Sequence, residues 1–193
     1  MKRSLALGCL AVLLTGCGYN RIQTLDEQVS AAEAQIKVQL QRRADLVPNL
    51  VETVRGVAAQ EQQVFTAVAE ARARLGGAVQ GGSVQQMAEA NAGLTSALGR
   101  LLAIAEAYPE LRSSENFRAL QDQLEGTENR IATARRDYND AVQAYNGYIR
   151  RFPAVLTAKL IGKGARPYFD LTTPGAAEAP RVNFAQPDAK KQP

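Results

Sequence analysis

The 193-residue chain has no histidine, no tryptophan and only two cysteines. Without imidazole there can be no Ser-His-Asp or Cys-His nucleophile system and no histidine metal site, and two thiols cannot build a four-cysteine zinc centre. Aromatic residues make up 6% of the chain, and the formal charge of +4 rests on 23 basic against 19 acidic side chains. Proline is scarce in the body: six of the eight prolines lie at or beyond Pro153, leaving only Pro48 and Pro109 upstream. A chain this poor in reactive groups does not advertise an enzyme, and neither a cofactor nor a metal is expected. Its length fits one domain with end segments.

Lys2 and Arg3 precede an apolar run from Ser4 to Leu14, which ends in Leu14-Thr15-Gly16-Cys17. This is the pattern of a secretory signal peptide, too short to cross about 30 Å of hydrocarbon as a helix. Small residues before a cysteine look like a bacterial lipoprotein box. Residues 1–16 are then expected to be removed and Cys17 to carry two or three acyl chains such as palmitate, where two suffice for stable attachment. The alternative is an ordinary cleavable signal with a chance cysteine. Cys9 falls in the discarded segment, so the mature chain keeps a single thiol and no internal disulfide. Loss of Lys2 and Arg3 leaves 21 basic against 19 acidic residues, a near-neutral mature protein.

From Asn20 to Arg151 apolar residues recur at three and four, and the period-two alternation of strands is missing. One stretch carries Ile22, Leu25, Val29, Ile36 and Leu40; a second carries Val47, Leu50, Val54, Val57, Val64, Val68 and Leu75. A third carries Val84, Met87, Leu94, Leu98, Leu101, Ala105 and Tyr108. In the fourth, Phe117, Leu124, Ile131, Tyr138, Tyr145 and Phe152 fall seven apart, a seam that demands bundle or coiled-coil packing.

Boundary chemistry predicts where these helices stop. Asp45 suits the start of a second helix with Pro48 in its first turn, so a turn is expected between Arg42 and Asp45. Gly76-Gly77 and Gly81-Gly82 mark the second connection, with Ser83 and Gln86 forming a capping box, and Pro109 with Ser113 and Ser114 marks the third. Short connections make consecutive helices antiparallel neighbours. The expected fold is all-α: an up-down-up-down four-helix bundle of long helices over residues 17–152, a docked arm at 153–172 and a disordered tail at 173–193.

Several motifs then resemble a known family. Tyr19-Asn20, Gln41-Arg42-Arg43-Ala44-Asp45-Leu46-Val47-Pro48-Asn49-Leu50-Val51 and Thr127-Glu128-Asn129-Arg130-Ile131 occur in order. They are followed by Ala134-Arg135-Arg136-Asp137-Tyr138-Asn139, Tyr145-Asn146, Phe152-Pro153 and Tyr168-Phe169-Asp170. Together, over about residues 19–170, they are similar to the LemA family. The resemblance implies an antiparallel helical bundle tethered to a bacterial membrane, with no generally established activity. Members carrying a transmembrane N-terminal helix differ from this chain, which has a lipobox instead.

Only Gly18 and Tyr19 separate Cys17 from the first helix, so the bundle is expected to stand directly on the lipid. With a turn near Arg42, the lipid-facing pole would collect Arg21, Arg72, Arg74, Arg150 and Arg151, with Lys159, Lys163 and Arg166 beyond. Each cation near an anionic surface is worth about 1 kcal/mol; alternatively each simply completes a helix terminus. In the seams, Glu61 is expected to be buried and paired with an arginine such as Arg135, and Asn91 to set helix register. Tyr138, Tyr145 and Tyr148 read as core residues whose hydroxyls reach the surface. The glycine pairs lack the lysine and strand of a phosphate loop, and the near-neutral domain offers nucleic acid no basic face.

The expected function is that of a non-enzymatic, membrane-anchored envelope scaffold or adaptor with a protein partner. A cell-wall polymer binder is the alternative, followed by a hydrolase using only carboxylates. Gly18 stands where an aspartate retains lipoproteins in the inner membrane, which favours the outer membrane facing the periplasm over the inner membrane.

Overall fold

The apolar stripe that begins at Ile22 does not stop at Arg42. Ile36, Leu40, Ala44, Val47, Leu50 and Val54 are all buried, so their three-four register crosses Pro48 unbroken. In the computed structural model, which describes residues 2–170 and the side chains of residues 18–170, the first helix α1 spans Lys2–Arg55 with Pro48 inside it. The expected turn between Arg42 and Asp45 does not form. Pro48 has no N–H to give the Ala44 carbonyl one turn back. Arg72 supplies the missing donor from the neighbouring helix, its Nε lying 2.8 Å from the Ala44 oxygen. The Cys17 side chain and the tail beyond Asp170 lie outside the described residues.

The first reversal comes instead at residues 56–61, tightened by bonds such as Ala58 N–H to the Val54 carbonyl at 2.9 Å. Helix α2 (Gln62–Gly81) follows and runs through Gly76-Gly77, ending only at Gly82. There a Cβ would stand 2.7 Å from the Ala78 carbonyl oxygen, so the reversal needs a residue without one. Ser83 opens α3 (Val84–Glu106) with a reciprocal cap: its hydroxyl accepts from Gln86 N–H at 3.2 Å, while its own N–H donates to Gln86 Oε1 at 2.7 Å. The one-turn α4 (Pro109–Ser113) leads to α5 (Glu115–Ile149), capped by Ser114. A short α6 (Ala154–Leu160) and an extended arm to Asp170 complete an all-α chain with no strand among the described residues.

Helix α1 is the spine. Helix α5 packs along it in the opposite direction: Arg43 meets Glu128, and nearer the N-terminus Arg21 and Leu25 line one hollow with Gly147 and Arg151. At 35 residues α5 is about 52 Å long. The α2–α3 hairpin, with helices of 20 and 23 residues, is only about 30 to 35 Å long and covers the distal half of α1. The N-terminal half is therefore completed by α6 and the arm, whose Ala158 and Phe169 join the same buried cluster as Ile22 and Tyr145.

The heptad line of α5 is buried from Phe117 through Tyr145, but Phe152 lies past the end of the helix and is exposed.

Candidate functional site

The most elaborate polar construction in the molecule holds the arm against α5. Tyr138 and Tyr145 are buried on the seam, and each is followed by an asparagine, Asn139 and Asn146. The tyrosine hydroxyls donate to the carbonyls of Pro167 (2.9 Å) and Gly164 (3.1 Å). Each asparagine grips one arm residue by both backbone groups. Asn146 accepts from Arg166 N–H at 2.8 Å and donates to its carbonyl at 2.9 Å; Asn139 does the same to Phe169 at 2.8 and 3.1 Å.

The two repeats fit because seven helical residues rise about 10.5 Å and three extended residues span about 10 Å. Two turns of α5 thus match three residues of the arm running the opposite way. Six hydrogen bonds read only main chain. At the far end Phe169 is buried, with the Arg135 guanidinium 4.9 Å above its ring centroid.

Asp26 of α1 locks the near end. Its carboxylate takes Lys163 Nζ at 2.6 Å on one oxygen, and Arg166 Nε and Nη2 at 3.0 and 2.8 Å on the other. Burial alone would push the Asp26 carboxyl up, but the hydrogen bonds and charges of Lys163 and Arg166 outweigh it and hold it below its ordinary range. The same bond raises the Arg166 guanidinium. Burial, helped by the charge of Glu33, pushes the Tyr138 phenol up to about 12; burial and then Asp26 raise Tyr145.

The residues expected at a basic pole are thus divided. Arg21, Arg150, Arg151 and Lys159 are exposed near the N-terminal end of the described fold, where α6 lies across α1 at Gly18. Lys163 and Arg166 turn inward to Asp26. Arg72 and Arg74 are not brought to that end: Arg72 is engaged by the Ala44 carbonyl, and Arg74 lies 3.9 Å from Glu70 on the same helix. Their displacement follows from the reversal falling at residues 56–61, which shifts α2 toward the distal half.

The same shift overturns the expected pairing of Glu61 with Arg135. Glu61 sits at the start of α2, half-buried, while Arg135 stacks on Phe169. Asn91 is buried, and its Oδ1 accepts from Arg43 Nη1 at 2.7 Å; the same nitrogen lies 2.6 Å from Glu128 Oε2. Burial lowers the Arg43 pKa, with the charge of Glu128 opposing.

The sequence reading did not single out Asp26, and it met Arg43, Asn139 and Asn146 only as parts of family motifs, with no site role given to them. The signal for the asparagines was present as Tyr-Asn written twice at a spacing of seven, and Asp26 lies beside Leu25 on the buried stripe.

A hollow of about 740 Å³ runs between α2 and α3; Glu89 is the only carboxylate on its walls, beside Arg74 and Arg100. Among the described residues no cluster of three or more Cys, Asp or Glu side chains is arranged to hold a metal ion. No described helix is long and apolar enough to cross a membrane.

Comparison with known proteins follows the same lines. The profile of the LemA family matches residues 32–184. Magnetosome proteins MamQ 1 and MamQ 2 of Paramagnetospirillum magneticum are each 31% identical over 175 residues, covering 78% of this chain and 64% of theirs. Magnetosome protein MamQ of Magnetospirillum gryphiswaldense is 29% identical over 174 residues, with the same coverage. The chain thus spans a little under two thirds of the length of these relatives.

Proposed function

Since this chain belongs to the LemA family, we propose that it is a membrane-anchored, non-enzymatic envelope protein. Its four long helices close into one antiparallel bundle, and their flanks act as a scaffold or adaptor for another envelope protein. Cys17 carries the lipid, and Gly18 directs the mature protein to the outer membrane, facing the periplasm. Arg21, Arg150, Arg151 and Lys159 seat the near end on anionic headgroups, at about 1 kcal/mol for each cation close to the surface.

The observation that carries this reading is the unbroken course of α1 from Gly18, the residue after Cys17, into the packed rod. From Gly18 to Arg55 the helix rises about 55 Å, holding the α2–α3 hairpin well away from the lipid. The clamp of Tyr138, Asn139, Tyr145 and Asn146 is filled by the chain's own arm, which supports a structural role for the chain's most elaborate polar site.

Growth with an alkyne palmitate analogue tests the anchor. The chain takes up label and sediments with membranes, and Cys17→Ser abolishes both; an unlabelled wild-type chain refutes the lipid attachment. In-cell crosslinking with mass spectrometry then recovers a reproducible protein partner. Co-sedimentation with purified peptidoglycan without such a partner would favour a cell-wall polymer binder instead.

A further inference from the structure

Helix α6 is built the wrong way round for a helix that faces only water. Its inner face is Ala154 and Ala158, both buried, and it crosses α1 so closely that a Cβ at Gly18 would lie 3.4 Å from Thr157 Oγ1. Its outer side carries Leu156, 60% exposed, and Leu160, 82% exposed, and Phe152 in the turn just before the helix is 80% exposed. Leu156 and Leu160 are one turn apart on the same side of α6, and the three exposed side chains lie within nine consecutive residues as a short crest. With Tyr19 they account for four of the seven exposed large hydrophobic side chains among the described residues, gathered at one end.

That end is where Cys17, the proposed lipid attachment residue, stands directly before Gly18. The surroundings are basic. Between Asp140 and Asp170 the chain has no acidic residue, and Arg150, Arg151 and Lys159, which flank the crest, make no ion pair among the described residues. Apolar side chains ringed by cations and set beside an anchor match the chemistry of an anionic phospholipid interface.

We propose that Phe152, Leu156 and Leu160 insert into the boundary between headgroups and acyl chains, making α6 a second membrane contact beside the anchor. This inference rests on the reading that the chain is tethered at Cys17. It adds a hydrophobic contact to the electrostatic seating.

The absence of tryptophan gives a clean reporter. Leu160→Trp, and as a distal control Val57→Trp, are made in the full-length protein, which is purified from membranes and reconstituted into phosphatidylglycerol-phosphatidylethanolamine vesicles. The Leu160→Trp emission shifts to the blue and is quenched by lipids brominated near the headgroup, whereas Val57→Trp stays open to aqueous acrylamide. Replacing Phe152 and Leu156 by Ser in the reporter lowers the quenching several-fold. An emission for Leu160→Trp as water-exposed as that of the control overturns the proposal. So does a blue shift that appears without vesicles and grows with protein concentration, because a second copy would then cover the crest.

Flotation of the same samples judges the anchor separately. Protein that floats while Leu160→Trp remains wet defeats the crest and leaves the anchor standing. Protein that fails to float defeats the anchor; the crest is then decided by whether added vesicles shift the Leu160→Trp emission.

Discussion

Asn146→Ala removes two hydrogen bonds from the arm at once and so tests whether main-chain recognition holds residues 163–169 in place. At about 1 kcal/mol for each net hydrogen bond, and with water able to reach the partly buried site, the loss is about 1 to 2 kcal/mol. That corresponds to roughly a 5- to 30-fold rise in the exchange rate of the Arg166 amide, whose hydrogen is given to Asn146 Oδ1. If the arm opens as one unit, the Phe169 amide accelerates in parallel, although its own partner, Asn139, is untouched. Asn146→Asp separates the two bonds: it keeps an acceptor for the Arg166 N–H but loses the donor to the carbonyl. The amide of residue 166 is then better protected than in Asn146→Ala. Amide exchange followed by NMR or mass spectrometry reads both. Unchanged exchange at 166 and 169 in Asn146→Ala, or identical behaviour of the Ala and Asp variants, refutes the clamp.

The Arg72 bond to α1 is tested by a double-mutant cycle in urea. Arg72→Ala costs about 1 to 2 kcal/mol with Pro48 present, and much less in Pro48→Ala, where a restored N–H satisfies the Ala44 carbonyl; equal costs in both backgrounds sink that account. Because the Asp26 pKa is depressed by folding, its contribution to holding the arm is complete above the ordinary carboxylate range and is lost as pH falls through the folded-state value. NMR shifts of Lys163 and Arg166 between pH 6 and 2 should follow that loss, and Asp26→Asn should abolish the transition. At the alkaline end, Tyr138 keeps its proton to about 12, so its stabilising contribution declines from about pH 10, the usual tyrosine value, through the folded-state value. Ultraviolet titration should show late-ionising phenol that is reduced in Tyr138→Phe; a wild-type curve in which all tyrosines ionise together near 10 contradicts this.

Local periodicity carried most of the helical reading, because burial on one face leaves a record every three or four residues. The capping box of Ser83 and Gln86 and the Pro109 and Ser114 boundaries were legible for the same reason: each is a short-range bond. The break at Arg42–Asp45 was misread because proline's missing donor was weighed without the guanidinium that replaces it, and Arg72 is 28 residues from Ala44. Once that reversal moved, the pole assignments of the residues on and just before α2 moved with it, as Glu61, Arg72 and Arg74 demonstrate. Gly76-Gly77 misled in a milder way. Two glycines cost a helix about 2 kcal/mol, but Ala71 and Leu75 before them are buried and hold α2 on its course. The arm clamp required seeing Asn139 and Asn146 as partners of a segment about 20 to 30 residues away, which no local period encodes.

The uninterrupted course of α1 has a mechanical consequence. In the proposed lipid-anchored form no joint lies between Cys17 and the hairpin, so the azimuth of the whole body is geared to the anchor at 100° per residue. One alanine inserted between Cys17 and Gly18 would turn every distal surface by more than a quarter revolution while lifting it only about 1.5 Å. Seven inserted alanines would nearly restore the original bearing, so a docking partner fixed in the same membrane would sense rotation long before it sensed height.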